Sequence, residues 1–253
     1  MMFRGVALAI VLLLRPAVGV AQSAHEQLAA GDREHAAMNA SSALKHYEAA
    51  LAAEPKNYDA LWKGAREAID LGEGSRAAAE RASLYRTAVE LARRAVEADP
   101  QGAEGHFQLA RALGRTALTL GAKERVKYAA DVRTHAMEAL RLAPDHDGAL
   151  HVLGMWHYNV MSLSGLSRMV AKTFLGGQVF NSASWNEAQT LMEKSVAVAP
   201  NRLVHRLDLG KVYAARGETA KAREQWEAVL RLPATDYNDR AYKAEAEALL
   251  ARR

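Results

Sequence analysis

Cysteine is absent from the 253 residues. That excludes a disulfide framework, a thiol nucleophile and lipoprotein attachment through an N-terminal cysteine. Proline occurs six times and aromatics make up 6% of the chain. Alanine is abundant instead, which suits helices packed closely through small side chains. Net charge is also scarce. The formal value is +4, and residues 1–21 contain Arg4 and Arg15 but no acid, so residues 22–253 carry +2. A nearly balanced chain offers no electrostatic basis for nucleic-acid binding. One long apolar run stands out, Val6 to Leu14, and its nine residues fall well short of the roughly 20 that a helix needs to cross a bilayer.

That run reads as the core of an export signal. Arg4 and the N-terminal amine precede it, Arg15-Pro16 breaks it, and Gly19-Val20-Ala21 supplies the small residues a signal peptidase reads. Residues 1–21 are therefore expected to be a cleaved leader, with an uncleaved anchor or a buried helix as alternatives. The mature protein is expected in the periplasm or outside the cell.

What remains is organised by its prolines. Helical run-ups end at Pro55, Pro100, Pro144, Pro200 and Pro233, and proline cannot continue a helix. The last spacing, 33 residues, is within one residue of the tetratricopeptide period of about 34. In the stretch "LDLGKVYAARGETAKAREQWEAVLRLP", Gly210, Tyr213, Gly217, Ala222 and Trp226 stand where such a unit puts Gly, Tyr, Gly, Ala and an aromatic. Ala43 and Ala188 occupy the same small-residue position in two other units, followed four residues later by Tyr47 and Met192. The small residue permits two helices to cross closely, and the large one fills the space beside it.

These observations predict an all-α, right-handed tetratricopeptide-type helical-hairpin solenoid with extended repeats. Expected units are 24–56, 58–101, 103–145, 147–201 and 203–234, closed by a capping helix over 236–252, all in a single domain spanning 22–253. On the cap, Ala241, Ala244, Ala248 and Leu249 are expected to face the last repeat.

The oversized units narrow the resemblance. "ALWKGAREAIDLG", "MSLSGLSRMVAKTFLGG" and "LPATDYNDRAYKAEAEALL" resemble the tetratricopeptide domain of the regulator of microtubule dynamics family, carried by Trp62, Ala65, Arg66, Leu163, Ser164, Met169, Ala171, Phe174 and Gly176. Some eukaryotic members of that family bind phospholipid in this domain at membrane contact sites, so the resemblance implies the fold and adds lipid to the partners to be considered. Those members also carry an N-terminal transmembrane anchor and further segments. Here an apparent export signal stands in that place, so microtubule binding is not carried over.

No catalytic motif is present: no HExxH, no GxSxG, no phosphate-cradling glycine loop, and no Ser-x-x-Lys among Ser162, Ser164, Ser167 and Lys172. The densest polar cluster is Asp145, His146, Asp147 and His151. Asp145 or Asp147 is expected to cap a helix there. A metal site is the alternative, although no third inward ligand is evident. No cofactor is expected.

The first helices of tetratricopeptide hairpins line a concave surface. Counting along the units puts Trp62, Phe107, His151 and Leu207 in one row and Arg66, Arg111, Met155 and Lys211 in the next, with Arg115 and Asn159 a turn further on. An apolar row beside a mainly basic row suits an acidic peptide or helix, or an anionic lipid. If the register is off by one, Trp62 and Phe107 pack between hairpins instead. On a helix, Leu163, Leu166, Val170 and Phe174 would form an apolar face beside Met169, with Arg168 and Lys172 on its flank. That segment is either a packed plug or a lipid-facing cover. Two functions follow: a non-catalytic extracytoplasmic scaffold that binds a protein or peptide in its groove, or a carrier or sensor of an anionic lipid or other amphiphile.

Overall fold

A computed structural model describes residues 17–163 and 178–252. Among these residues every regular element is a helix, and successive helices pair as antiparallel hairpins. The first hairpin joins α1 (Ala17–Ala36) and α2 (Ala40–Ala53), the second α3 (Tyr58–Gly74) and α4 (Ala78–Ala98), the third α5 (Ala103–Leu118) and α6 (Ala122–Leu142). In the fourth, α7 (Asp147–Met161) packs on α9 (Trp185–Val198), with the single turn α8 (Gln178–Asn181) ahead of α9. The fifth pairs α10 (Leu203–Ala215) with α11 (Thr219–Arg231), and α12 (Asp239–Leu250) follows. The first helix begins at Ala17, within the stretch expected to be a leader.

Local chemistry places the helix starts. Side chains of Asn39, Asn57 and Ser184 accept backbone N–H groups of Ser42, Ala60 and Glu187, satisfying donors that have no intrahelical partner. At α7 the cap is His146, whose ring nitrogen accepts from Ala149 N at 3.3 Å. Neither neighbouring aspartate takes that role. Asp145 instead meets Lys194 at 2.9 Å, and Asp147 faces His205 at 3.7 Å.

The hairpins close through the small-and-large pattern seen in the sequence. Ala43, Ala188 and Ala222 are fully buried, as are Tyr47 and Met192, while Trp226 is 7% exposed. Opposite each large residue stands a glycine on the first helix. A methyl group on Gly154 would lie 2.8 Å from Met192, and one on Gly210 would collide with the Trp226 ring. Trp226 Nε1 then donates to Leu207 O at 3.1 Å, so the ring is held by a hydrogen bond as well as by packing. The result is a right-handed tetratricopeptide-type solenoid, its first helices α3, α5, α7 and α10 lining the concave side.

Candidate functional site

Each first helix presents a stripe at intervals of three and four residues, because those positions share a helical face. On α3 the stripe runs Trp62, Arg66, Asp70 and Glu73; on α5 it runs Phe107, Arg111 and Arg115. Adjacent helices sit about 8–10 Å apart, so charged side chains on neighbouring stripes can meet, and here they do. Arg111 Nη2 lies 2.6 Å from Asp70 and 2.9 Å from Glu73, and Arg115 Nε lies 2.9 Å from Glu73. The two carboxylates are only 7% and 9% exposed. Burial raises the Asp70 carboxyl to about 6 against the pull of Arg111. Burial also acts on Glu73, but Arg115 and Arg111 outweigh it and hold that carboxyl below its ordinary value.

The expected basic row is therefore neutralised within the chain. Arg66 Nε is 2.8 Å from Glu67, and its guanidinium covers the Trp62 ring at 5.3 Å. Lys211 bridges Asp208 and Glu245, each at 2.8 Å. His151 Nε2 donates to Asp208 at 2.8 Å, and its ring stacks on His205. Burial would lift the Asp208 carboxyl, yet Lys211 and His151 hold it well below the usual carboxylate range. Among the described residues, no three His, Asp or Glu side chains are grouped to hold a metal ion.

The expected apolar row divides. Trp62 is half-buried and packs against the core of the first hairpins, its Nε1 donating to Asp59. Phe107 packs on Gly148 and on the His146 ring, 4.6 Å away, between the third and fourth hairpins. Leu207 is 1% exposed and belongs to the core. Sequence reasoning missed the acids Asp70, Glu73, Asp208 and Glu245. Asp70 and Glu73 were readable as the continuation of the Arg66 stripe by four and seven residues, and Asp208 as the i−3 neighbour of Lys211.

Met155 and Asn159 serve a different feature. They line a cavity of about 150 Å³ between α5, α6 and α7, together with Gly114, Val132, Trp156 and Leu163. Its walls are mostly apolar because α5 turns Ala110, Gly114 and Ala117 toward it. One polar group there differs from the rest. Arg125 lines the cavity, donates through Nη2 to Leu120 O, and has no carboxylate within ion-pair distance among the described residues. Its buried Nε has no hydrogen-bond partner. Two turns along α6, Arg133 lies over the Trp156 ring at 5.8 Å, again with an unpartnered Nε. Burial and the Arg133 charge push His157, beside Trp156, down to about 4. Leu166, Arg168, Met169, Val170, Lys172 and Phe174 lie outside the described residues.

The last helix packs on α10 and α11 and sends polar side chains onto the concave face. Asn238 Nδ2 donates to Asp70 O at 3.0 Å, Tyr242 Oη donates to Glu73 at 2.7 Å, and Glu245 accepts from Lys211. α12 is turned from the expected orientation. Ala246 is fully buried with Leu249 and Leu250 packed partly behind it, whereas Ala241, Ala244 and Ala248 are exposed. The helix is rotated because its polar stripe faces the groove.

Residues 23–253 match the model of the regulator of microtubule dynamics protein 1-3 family. The chain belongs to that family. It is 28% identical over 192 residues to regulator of microtubule dynamics protein 3 of Bos taurus, covering 76% of this chain and 40% of that protein. With protein 1 of Homo sapiens it shares 27% over 154 residues, 60% of this chain and 48% of that one. The chain thus spans less than half the length of these curated relatives. Among solved structures, a thermophilic tetratricopeptide protein of Thermus thermophilus superposes with a TM-score of 0.65 at 18% identity, covering 89% of this chain and 99% of that one. That likeness speaks to the fold of this family member, a tetratricopeptide-type solenoid.

Proposed function

We propose that the chain is a non-catalytic scaffold, exported to the periplasm or beyond, that holds a helical segment of a protein partner on its concave face. The observation that carries the reading is that the concave face already takes side chains of a helix: Asn238 and Tyr242 reach α3 and Glu245 reaches α10, while the body of α12 packs on α10 and α11. Helix-in-groove recognition uses groups at i, i+3, i+4 and i+7, the spacing α12 presents. The Trp62–Arg66 end of the groove is not covered by those contacts. Changing Trp62→Ala and Arg66→Glu is expected to weaken binding of an acidic amphipathic peptide at least tenfold by fluorescence anisotropy. Unchanged binding would remove the groove from the reading. Export is supported by the leader pattern. N-terminal sequencing of the expressed protein should begin at Gln22, and an intact cytosolic Met1 would overturn the location.

A second reading has its own observation, the apolar cavity with an uncommitted arginine. A cavity of about 150 Å³ holds a benzene-sized group, matching the end of an acyl chain, with Arg125 placed for an anionic head. Organic extraction of purified residues 22–253 followed by mass spectrometry should then yield a co-purified amphiphile. A clean blank sinks this reading.

A further inference from the structure

We infer that α12 is a tethered occupant of the concave face, and that the partner which displaces it is an acidic amphipathic helix bulkier than α12 itself. This rests on the scaffold reading above and specifies what the scaffold binds and how access is controlled.

Three observations support it. First, the contacts of α12 with the groove come from one stripe, Asn238, Tyr242 and Glu245, at i, i+4 and i+7. They reach α3 and α10, which belong to the second and fifth units, while the body of the helix packs on α10 and α11 at the end of the array. Secondly, the attachment to α3 is made by polar groups and by the packing of Gly74 against Tyr237 and Asn238, not by a shared apolar core. The apolar side of α12 is anchored on its own neighbours through Ala246, Leu249 and Leu250. Only the polar attachments to α3 need be replaced for this exchange, while Ala246, Leu249 and Leu250 stay seated on α10 and α11. Thirdly, α12 fills the face incompletely. A space of about 250 Å³ remains beside it, lined by Ala241 and Tyr242 on one side and by Arg81, Tyr85 and Arg115 on the other. Arg81 has no carboxylate within ion-pair distance among the described residues, and its buried Nε is unpartnered.

The chemistry of the displacing helix follows from these features. It presents a hydroxyl or similar donor to Glu73 and a carboxylate to Lys211, as α12 does. It adds a large apolar side chain where α12 has only Ala241, and a further acid within reach of Arg81. A tethered helix enjoys a high effective concentration, on the order of millimolar for a short flexible connection. An external helix must exceed that advantage, which the unfilled space and the unpaired guanidinium allow.

The test uses the full chain and a fluorescein-labelled peptide of residues 234–252 carrying Ala241→Leu. A released variant, Asn238→Ala with Tyr242→Phe and Glu245→Lys, is expected to bind the peptide at least tenfold more tightly than the unmodified chain. It should also show at least tenfold faster amide exchange over residues 236–250 while the rest of the chain stays protected. Because the chain lacks cysteine, Gly74→Cys with Tyr237→Cys gives one pair for a bismaleimide cross-link, and the cross-linked form should not bind. If the released variant unfolds as a whole, α12 is a structural cap and the proposal is overturned. If released and unmodified chains bind equally, the scaffold reading stands and the occupant proposal falls. If release frees α12 and no peptide binds, both fall.

Discussion

The two sides of α5 make opposite use of arginine. Toward α3, Arg111 and Arg115 are committed to Asp70 and Glu73 in a buried network that Tyr242 completes. Toward α6 and α7, the same helix offers Ala110, Gly114 and Ala117 to an apolar cavity whose rim holds Arg125, paired with no acid among the described residues. A cation inside a network fixes how units stack, because breaking it strands a buried charge. A cation that no acid claims at the edge of an apolar space is available to a ligand. Charge alone does not mark a binding residue in this molecule; its intramolecular partners decide.

Breaking the network should have the largest effect. Arg111→Ala leaves Asp70 buried without its cation, while Glu73 keeps Arg115, and such losses run to about 3–5 kcal/mol; urea unfolding should show it as a lowered midpoint. Replacing Arg111 and Asp70 together by Met and Leu should cost far less, since Glu73 keeps Arg115 and no uncompensated charge remains. A double variant as unstable as Arg111→Ala would show that the network stabilises by more than avoiding a stranded charge.

Glycines sharpen the contrast at smaller magnitude. Gly210→Ala forces a methyl into the Trp226 ring and should lose about 1–3 kcal/mol through overpacking. Gly114→Ala, with nothing within 4 Å of the new methyl, should gain roughly 0.5–1 kcal/mol from helix propensity. Gly114→Leu should keep that fold and fill the cavity, removing any co-purified amphiphile. Amphiphile retained by the leucine variant would place it elsewhere.

Arg125→Glu gives up the hydrogen bond to Leu120 O and should cost about 0.5–1.5 kcal/mol, while reducing anionic amphiphile uptake at least tenfold. Uptake unchanged by charge reversal would show that the head group does not contact α6.

The smallest effect is in pH. His157 titrates at about 4 in the fold and near 6.5 when unfolded, so the folded state binds fewer protons. The stability it contributes is fully present above about pH 6.5 and is lost as pH falls toward about 4. Melting temperature should drop across that window, and His157→Gln should flatten the drop by about 2–4 °C. A variant with an unaltered profile would assign the acid sensitivity to other groups.

Particular residues show how far the sequence was legible. Ala43, Tyr47, Ala188, Met192, Ala222 and Trp226 could be placed because hairpin packing is local: each contact joins residues within one unit, at a spacing that repeats. Arg66, Arg111 and Lys211 could be assigned to the concave stripes for the same reason. Their ion pairs were harder to read, since Arg111 meets acids 38 and 41 residues away and the register between neighbouring helices depends on unequal loop lengths. The rotation of α12 was not legible at all. Its alanines suggest an apolar face, but what orients it is Asp70 and Glu73, 168 and 169 residues earlier.

That long reach has a consequence for how the molecule folds. In an open repeat array each unit touches only its neighbours, stability is a sum of local terms, and ends can fray independently. Here Asn238 and Tyr242 tie the fifth unit back to the second, so the units between them sit inside a closed loop. They are expected to melt together as one cooperative transition, with docking of α12 as a late, slow step set by chain closure. Pulling α12 away would then convert a ring into a chain, and one transition into two.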